Sequence, residues 1–239
     1  MRYELYYWPG VQGRGEFVRL ALEDAGTDYV DVVRIEKSGM AAMMSFLESR
    51  AAERPPFAPP FLKAGNLVIA QTANILFYLS PRLGLVPKSE APRLWVHQLQ
   101  LTIADWVAEV HDTHHPISGG LYYEDQKHAA KRRAADFRRE RLPKFLGYFE
   151  NVLKRNPKAS SYVLGQAISY VDLSLFQMIA GLRYAFPRAM AKLEPKYQRM
   201  VGLHDRVRIR PRLADYLSSP RRLPFNQEGI FRHYPELDG

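Results

Sequence analysis

His111, His114 and His115 fall within five positions, and imidazoles at such short spacing are what a metal trio would use. Their surroundings argue otherwise. Asp112 and Thr113 are polar, no acidic metal-ligand spacing recurs, and Pro116 ends the helix. We therefore read the trio as a helix end that lines a pocket or lies at the surface, with no metal. Gly10, Gly13 and Gly15 echo a dinucleotide-binding loop, but at the wrong spacing. Cysteine is absent, which excludes disulfides, zinc–thiolate sites and a thiolate nucleophile of the protein's own.

Three short motifs remain. Tyr6-Tyr7 close a β-prone run ahead of the turn Trp8-Pro9-Gly10, and Gly13-Arg14-Gly15-Glu16 lies just beyond. Taken alone, either tyrosine is a half-buried strand aromatic. Pro59-Pro60-Phe61-Leu62 is followed, eleven residues after Pro60, by Gln71-Thr72, which alone is a helix start. Ser169-x-x-Asp172, ahead of the apolar run Leu173-Ser174-Leu175-Phe176, has the form of a capping box with Ile168 as its staple.

The elements that position these residues fall into two parts. Residues 3–7 read as a strand. Phe17, Leu20, Ala21 and Ala25 recur near a 3.6-residue period, so a helix follows, closed by Gly26. Residues 29–35 read as a second strand and 38–54 as an irregular Met- and Ala-rich helix. Strands at 61–63 and 67–70 flank a hairpin turn at Ala64-Gly65-Asn66, and a helix runs from Gln71-Thr72 through Leu79, stopped before Pro81. The order β-α-β-α-β-β-α in about 80 residues is a thioredoxin-like α/β layout. Everything beyond the linker reads as helix: 94–111, a long charged amphipath over 125–153, a nearly all-apolar buried helix over 168–185, then 196–209 and 213–217. A Pro/Gly-rich, aromatic tail from Pro220 wraps back over a domain surface. The division expected is a domain over 1–81, a linker over 82–92 and an all-α helical domain over 93–239.

A thioredoxin-like domain joined to an all-helical one resembles the cytosolic glutathione transferase family, and the resemblance covers essentially the whole chain. Leu5-Tyr6-Tyr7 with Gly13-Arg14-Gly15-Glu16 is similar to the strand-end tyrosine and Gly-Arg-x-Glu segment of the tyrosine-type classes, especially sigma, with alpha, mu and pi as relatives. The resemblance makes Tyr7 the hydroxyl that stabilises the glutathione thiolate and Arg14 a second electrostatic contributor. Strand alternation sends one of Tyr6 and Tyr7 into the core, and aligning Leu5-x-Tyr7 favours Tyr7. Pro60 matches the family's cis-proline, and Gln71-Thr72 matches its helix-start pair, an anion site for the γ-glutamyl carboxylate. Pro59 departs from the pattern, because the residue there normally offers glutathione both N–H and C=O, and proline has no N–H. Asp105, 34 residues after Gln71, is implied to reach the partner's γ-glutamyl amine across a dimer. The capping box is the family's folding signature, without chemistry. The tryptophan and lysine that hold the glycine carboxylate in sigma-like members are replaced by Met40 and Met44. Lys37, Arg50 and Arg54 are the available substitutes.

The resemblance implies glutathione as co-substrate and thiolate attack on a small hydrophobic electrophile, a detoxification chemistry with isomerase, peroxidase and ether-cleaving variants. It also implies an electrophile pocket at Trp8, Pro9, Val107, His111 and Phe225, a homodimer, and a cytoplasmic setting. The alternative is a non-catalytic module of the same fold, serving as ligand carrier or in protein or RNA association, which Pro59, Met40 and Met44 favour. The net charge of +9 and pI near 9.7 raise the nucleic-acid question directly. Residues 1–80 carry a net of −1 and the remainder +10. The basic stretches at 131–133, 138–141 and 206–210 read as a solvated face, since Phe137 is the one aromatic interleaved over 131–144 and a nucleic-acid platform needs several. No apolar run approaches the roughly 20 residues of a membrane span, and residues 1–10 lack a signal-peptide layout.

Overall fold

Tyr3 and Leu5 alternate with polar Glu4, and this period of two places β1 (Tyr3–Tyr6) at the centre of a small sheet. In the computed structural model, which describes residues 2–50, 53–156 and 161–239, β2 (Tyr29–Asp31) pairs parallel to β1. On the other side β3 (Phe61–Ala64) pairs antiparallel, and β4 (Leu67–Ala70) completes the order β2-β1-β3-β4. Helices α1 (Gly15–Ala25) and α4 (Thr72–Leu79) cover one face, burying Val18, Leu22, Ile75 and Leu79 against Tyr3, Leu5 and Leu62. The short α2 (Val32–Ile35) and α3 (Gly39–Glu48) cover the other, where Val33 and Met43 meet Tyr6 and Phe61.

The second strand is shorter than the β-branched run 29–35 suggests. Arg19 Nε reaches Asp31 at 2.6 Å and Arg34 Nη1 at 3.4 Å, and the chain turns into α2 there. Tertiary pairing overrides propensity at this point. The helix expected over 38–54 spans 39–48, and residues 51 and 52 lie outside the described residues.

Beyond α4 come α5 (Glu90–Asp112), α6 (Lys127–Asp136), α7 (Leu142–Arg155), α8 (Tyr170–Ala185), α9 (Pro187–Leu193), α10 (Gln198–Arg208), α11 (Pro211–Ser218) and α12 (Pro235–Asp238). α5 begins inside the stretch read as linker, with Pro92 in its first turn, where a missing N–H costs nothing. The amphipath read over 125–153 is broken. Pro143 has no N–H for the Arg139 carbonyl and crowds it, and the backbone widens into a π turn over Phe137–Arg141. α9 and α12 were not anticipated. Among the described residues no helix is long and apolar enough to cross a membrane.

α8 is the central helix: it packs against α1, α5 and α10, and almost all of its residues are buried. Its N-terminus is held by Asp172, which accepts from Ser169 N at 2.7 Å, Ser169 Oγ at 2.7 Å and Val163 N at 2.9 Å. The two parts of the chain meet through ion pairs. Glu16, Glu23 and Asp24 of α1 are buried and take Arg222, Arg221 and Arg210 at 2.5 Å each. Arg210, read as part of a solvated basic stretch, is thus spent on a buried carboxylate. Removing the cap tests how far α8 depends on it. Ser169→Ala should cost about 1 kcal/mol in urea unfolding. Asp172→Ala, which strands three buried donors, should cost about 3 kcal/mol. Losses under about 0.5 kcal/mol for both would refute a structural role for the box.

Candidate active site

Sheet register brings three chain segments to one edge. Tyr6 pairs with Phe61, and Phe61 with Ala70, so Tyr7, Pro60 and Gln71 follow from neighbouring strand ends. The N-termini of α1 and α4 open beside them. Tyr6 and Tyr7 then separate by strand alternation. The Tyr6 ring stacks on Phe61 at 4.6 Å and meets Phe46 edge-on at 5.4 Å, and its hydroxyl donates to Glu4 Oε2 at 2.8 Å. Tyr7 lies on the α1 side, where its hydroxyl oxygen accepts from the Arg14 backbone N–H at 2.8 Å.

That bond leaves the Tyr7 proton free, since a backbone N–H can only donate. Burial pushes the Tyr7 pKa above its ordinary value, offset in part by the Arg14 N–H and the Arg14 and Arg19 charges. Tyr7 therefore stays a phenol with a proton to donate. The loop closes tightly on it. Gly13 has φ +45, and a Cβ there would fall 2.0 Å from the Tyr7 hydroxyl oxygen, so only glycine fits.

A cleft of about 360 Å³ runs between the two parts of the chain. Arg14, Gln71, Thr72 and Asn74 line one wall, and His97, Gln100, Ala104 and Val107 of α5 line the other. Gln71 sits at φ 69 and ψ 120, a conformation an L residue adopts at a cost of about 1–3 kcal/mol and one that clusters at ligand sites. No side chain caps α4, so its first N–H groups are available to an anion. Thr72 Oγ1 donates to the Arg14 carbonyl at 3.4 Å, tying the two helix starts together.

Of the residues singled out from the sequence, Arg14, Gln71, Thr72 and Val107 line this cleft, and Tyr7 joins it through Arg14. Pro59 and Pro60 form a cis peptide at the head of β3, with Pro60 buried and Pro59 half-buried, outside the cleft wall. Asp105 is exposed on α5 and does not line it. Lys37, Arg50 and Arg54 are exposed, Met40 is exposed and Met44 half-buried, and none of these lines the cleft. Trp8 and Pro9 are exposed beyond β1. Phe225 stacks on Tyr184 at 5.1 Å and meets Phe231 edge-on, so it packs within the tail and not on this wall. His97, Gln100 and Ala104 escaped the sequence reading. Their spacing of three and four residues towards Val107 marks one helical face and could have found them.

His111 follows one turn after Val107, and the His cluster caps this end of α5. The rings of His111, His114 and His115 lie 4.8–5.1 Å apart. His114 Nδ1 stands 2.5 Å from His115 Nδ1, and His114 Nε2 stands 2.9 Å from the Ile230 carbonyl. Burial pushes His114 down to about 3, with Arg232 acting the same way and the Ile230 carbonyl resisting. Burial, then Arg232, pushes His115 down to about 4. His111 is lowered by burial and next by the Arg14 charge, and it is not on the cleft wall.

Residues 111–220 match the family model described as the glutathione S-transferase C-terminal domain. A Plasmodium falciparum glutathione S-transferase is 27% identical over 191 residues, covering 78% of this chain and 82% of that protein. The glutathione S-transferase P 1 of Xenopus laevis is 25% identical over 220 residues, covering 92% and 93%. Among solved structures, the pi-class glutathione S-transferase of Onchocerca volvulus superposes with a TM-score of 0.73 at 22% identity, covering 96% of this chain and 99% of that one. The fold is therefore the glutathione transferase fold, a thioredoxin-like α/β part followed by a helical one.

The buried imidazole has a pH consequence. An unfolded histidine titrates near 6.5, whereas folded His114 titrates at about 3. Its contribution is thus present above about 6.5 and lost as pH falls towards 3, at about 1.4 kcal/mol per pH unit. We expect the stability difference between the native chain and His114→Gln, from denaturant curves between pH 7 and 4, to shrink at about that slope. Parallel pH profiles would show that His114 is free to protonate when folded.

Proposed function

We propose, for a chain that belongs to the glutathione transferase family, that Tyr7 activates the thiol of glutathione for attack on a small hydrophobic electrophile. Glutathione is the co-substrate. One observation carries the reading: the Tyr7 oxygen accepts from the Arg14 N–H and keeps its own proton at the edge of a cleft with an anion-ready helix start. A thiol of ordinary pKa near 8.5 is mostly protonated at pH 7. A phenol proton aimed at the sulfur favours the thiolate, and each unit of lowering needs about 1.4 kcal/mol of preference for the charged form. The Arg14 guanidinium adds to this through its charge.

The γ-glutamyl carboxylate belongs at the N-terminus of α4, where Gln71 and Thr72 lead the open N–H groups. The cysteinyl N–H of glutathione would donate to the Pro59 carbonyl, and Pro59 returns no N–H. That loss weakens binding by about one hydrogen bond. Val107 and His111 continue the cleft on the electrophile side. The same site without turnover would serve a carrier, and the Tyr7 variant separates the two.

A homodimer fits the surface. Phe57, 93% exposed, stands on the loop ahead of β3. A cavity of about 570 Å³ is an open groove between α5 and α7 with Trp95, Tyr148, Val152 and Leu164 on its walls. We place the Phe57 loop of one subunit in this groove of the other, with Asp105 on α5 turned to the partner's glutathione.

Two measurements test these readings. Tyr7→Phe should reduce kcat for an aryl halide by at least about tenfold and raise the pH at which kcat/KM turns on, with glutathione affinity in calorimetry little changed. Tyr6→Phe should do neither, and no glutathione heat at millimolar concentration would remove the function altogether. Phe57→Asp should shift sedimentation of the native oligomer to the monomer. A variant that sediments like the native chain would move the interface elsewhere.

A further inference from the structure

Gln100 lies on the α5 wall of the cleft and is only 2% exposed, in a stretch of lining it shares with Phe17, Ile103 and Val107. α5 packs on α8 there, and the fully buried Ser174 hydroxyl of α8 donates to Gln100 Oε1 at 2.8 Å. An amide has its acceptor at the oxygen and its two donors at the nitrogen, so a donor held on Oε1 fixes which end Nε2 occupies. Nε2 takes no hydrogen-bond partner among the described residues and is not walled off from solvent, so it opens into the cleft that the residue lines. A buried amide with one end satisfied and the other unmet calls for an acceptor from outside the chain.

The rest of the lining says what that acceptor is. The cleft wall carries the Arg14 cation and the uncapped start of α4, and among the described residues it carries no carboxylate. Such a wall favours an anion. α4 also packs directly on α5, and packed helices stand about 8–10 Å apart between their axes. A carboxylate seated between the two walls can therefore take donors from both. It has acceptor sites on each oxygen, so the N–H groups at the α4 start do not exhaust it. Phe17, Ile103 and Val107 keep the surroundings apolar, where a hydrogen bond to a charged acceptor is stronger than in water.

We propose that Gln100 Nε2 binds the α-carboxylate of the γ-glutamyl group and selects thiols that carry a free carboxylate at that end. Ser174 is the positioning residue that keeps the N–H groups turned to the cleft. On the glutathione reading of the cleft, on which this rests, Gln100 gives the carboxylate a second wall from the helical part of the same subunit. Gln100→Met is the informative change, because it keeps the length and bulk of the side chain and removes both donors. Gln100→Glu keeps an acceptor for Ser174 and sets a second carboxylate against the first.

The experiment follows conjugation of 1-chloro-2,4-dinitrobenzene with three thiols. Glutathione is the first. Glutaryl-cysteinylglycine keeps the carboxylate and lacks the α-amine, and 4-aminobutyryl-cysteinylglycine keeps the amine and lacks the α-carboxylate. The native chain should prefer glutathione to the 4-aminobutyryl thiol in kcat/KM by more than about tenfold, the scale of one hydrogen bond to a charged group. Gln100→Met should cut that preference about tenfold, through KM, and cut the preference for the glutaryl thiol alike. Gln100→Glu should cut both further. The pH at which kcat/KM turns on should stay native in both variants, unlike in Tyr7→Phe. Each preference is a ratio measured on one sample, so it does not depend on how much of a variant folds. A native chain that uses glutathione and the 4-aminobutyryl thiol equally well overturns the assignment and leaves the thiol site standing. So does Gln100→Met with the native ratios, whether its rates are native or all reduced by one factor. A native chain that conjugates with none of the thiols and binds no glutathione overturns the reading beneath it as well.

Discussion

Glu16 is a fully buried carboxylate in the first turn of α1, and the architecture around the cleft depends on how its charge is met. Arg19 Nη1 approaches at 3.3 Å, the Tyr216 hydroxyl donates at 2.8 Å and Arg222 Nη1 at 2.5 Å. Arg19 in turn holds Asp31 and the Gln12 carbonyl. Taking such charges out of water costs several kcal/mol each, and only a complete set of partners offsets it; losing one partner costs about 3–5 kcal/mol. The partners of Glu16 come from α1, α11 and the tail, and Arg19 ties β2 to them through Asp31, so the network needs all four in place. The helix dipole at the α1 N-terminus favours the same charge. The loop 12–15 that cradles the Tyr7 hydroxyl hangs from this point, with Gln12 bonded to Gln177 of α8 and to the Leu223 carbonyl of the tail. The loop that holds the Tyr7 hydroxyl is thus positioned by residues that do not line the cleft.

The sheet, the Gly26 stop, the α4 start and the capping box were legible in the sequence because each is a local rule. Gly26 takes φ 65, Gln71 leads α4, and Asp172 meets Ser169, each within a few residues of its cause. That Tyr6 and Tyr7 face opposite sides of the sheet also followed from alternation along one strand, although both are buried. What could not be read had distant causes. Glu16 stood in a recognised Gly-Arg-x-Glu segment, yet Tyr216 and Arg222 lie some two hundred positions away, so its burial was invisible. The shortness of β2 reflects the Arg19–Asp31 pair, and the course of Phe225 reflects Tyr184 and Phe231. The break at 137–141 was in principle readable from Pro143, since a proline four residues after Arg139 denies that carbonyl its partner.

Charge shows the same division between composition and placement. A net of −1 over 1–80 and +10 beyond suggested a basic surface on the helical part. Part of that excess is internal. The α1 carboxylates Glu16, Glu23 and Asp24 are buried with Arg222, Arg221 and Arg210, while Arg34 donates back to the Arg221 carbonyl at 2.8 Å. The asymmetry is therefore complementary: the more acidic part presents its carboxylates to the arginines of the more basic one.

This pairing also explains why the tail matters to a site it does not line. Between Arg221 and Ile230 the chain meets Glu23, Glu16, Gln12 and Gly10 in turn, then accepts the His114 N–H at the Ile230 carbonyl. One segment thus holds the loop beneath the phenol at its start and sets an imidazole tautomer at its end. Both are matters of which way a proton points, and in both a backbone group decides it: the Arg14 N–H leaves Tyr7 a donor, and the Ile230 carbonyl puts the proton of neutral His114 on Nε2. A backbone group cannot change its role with pH, so neither assignment drifts over the range in which a glutathione thiol ionises.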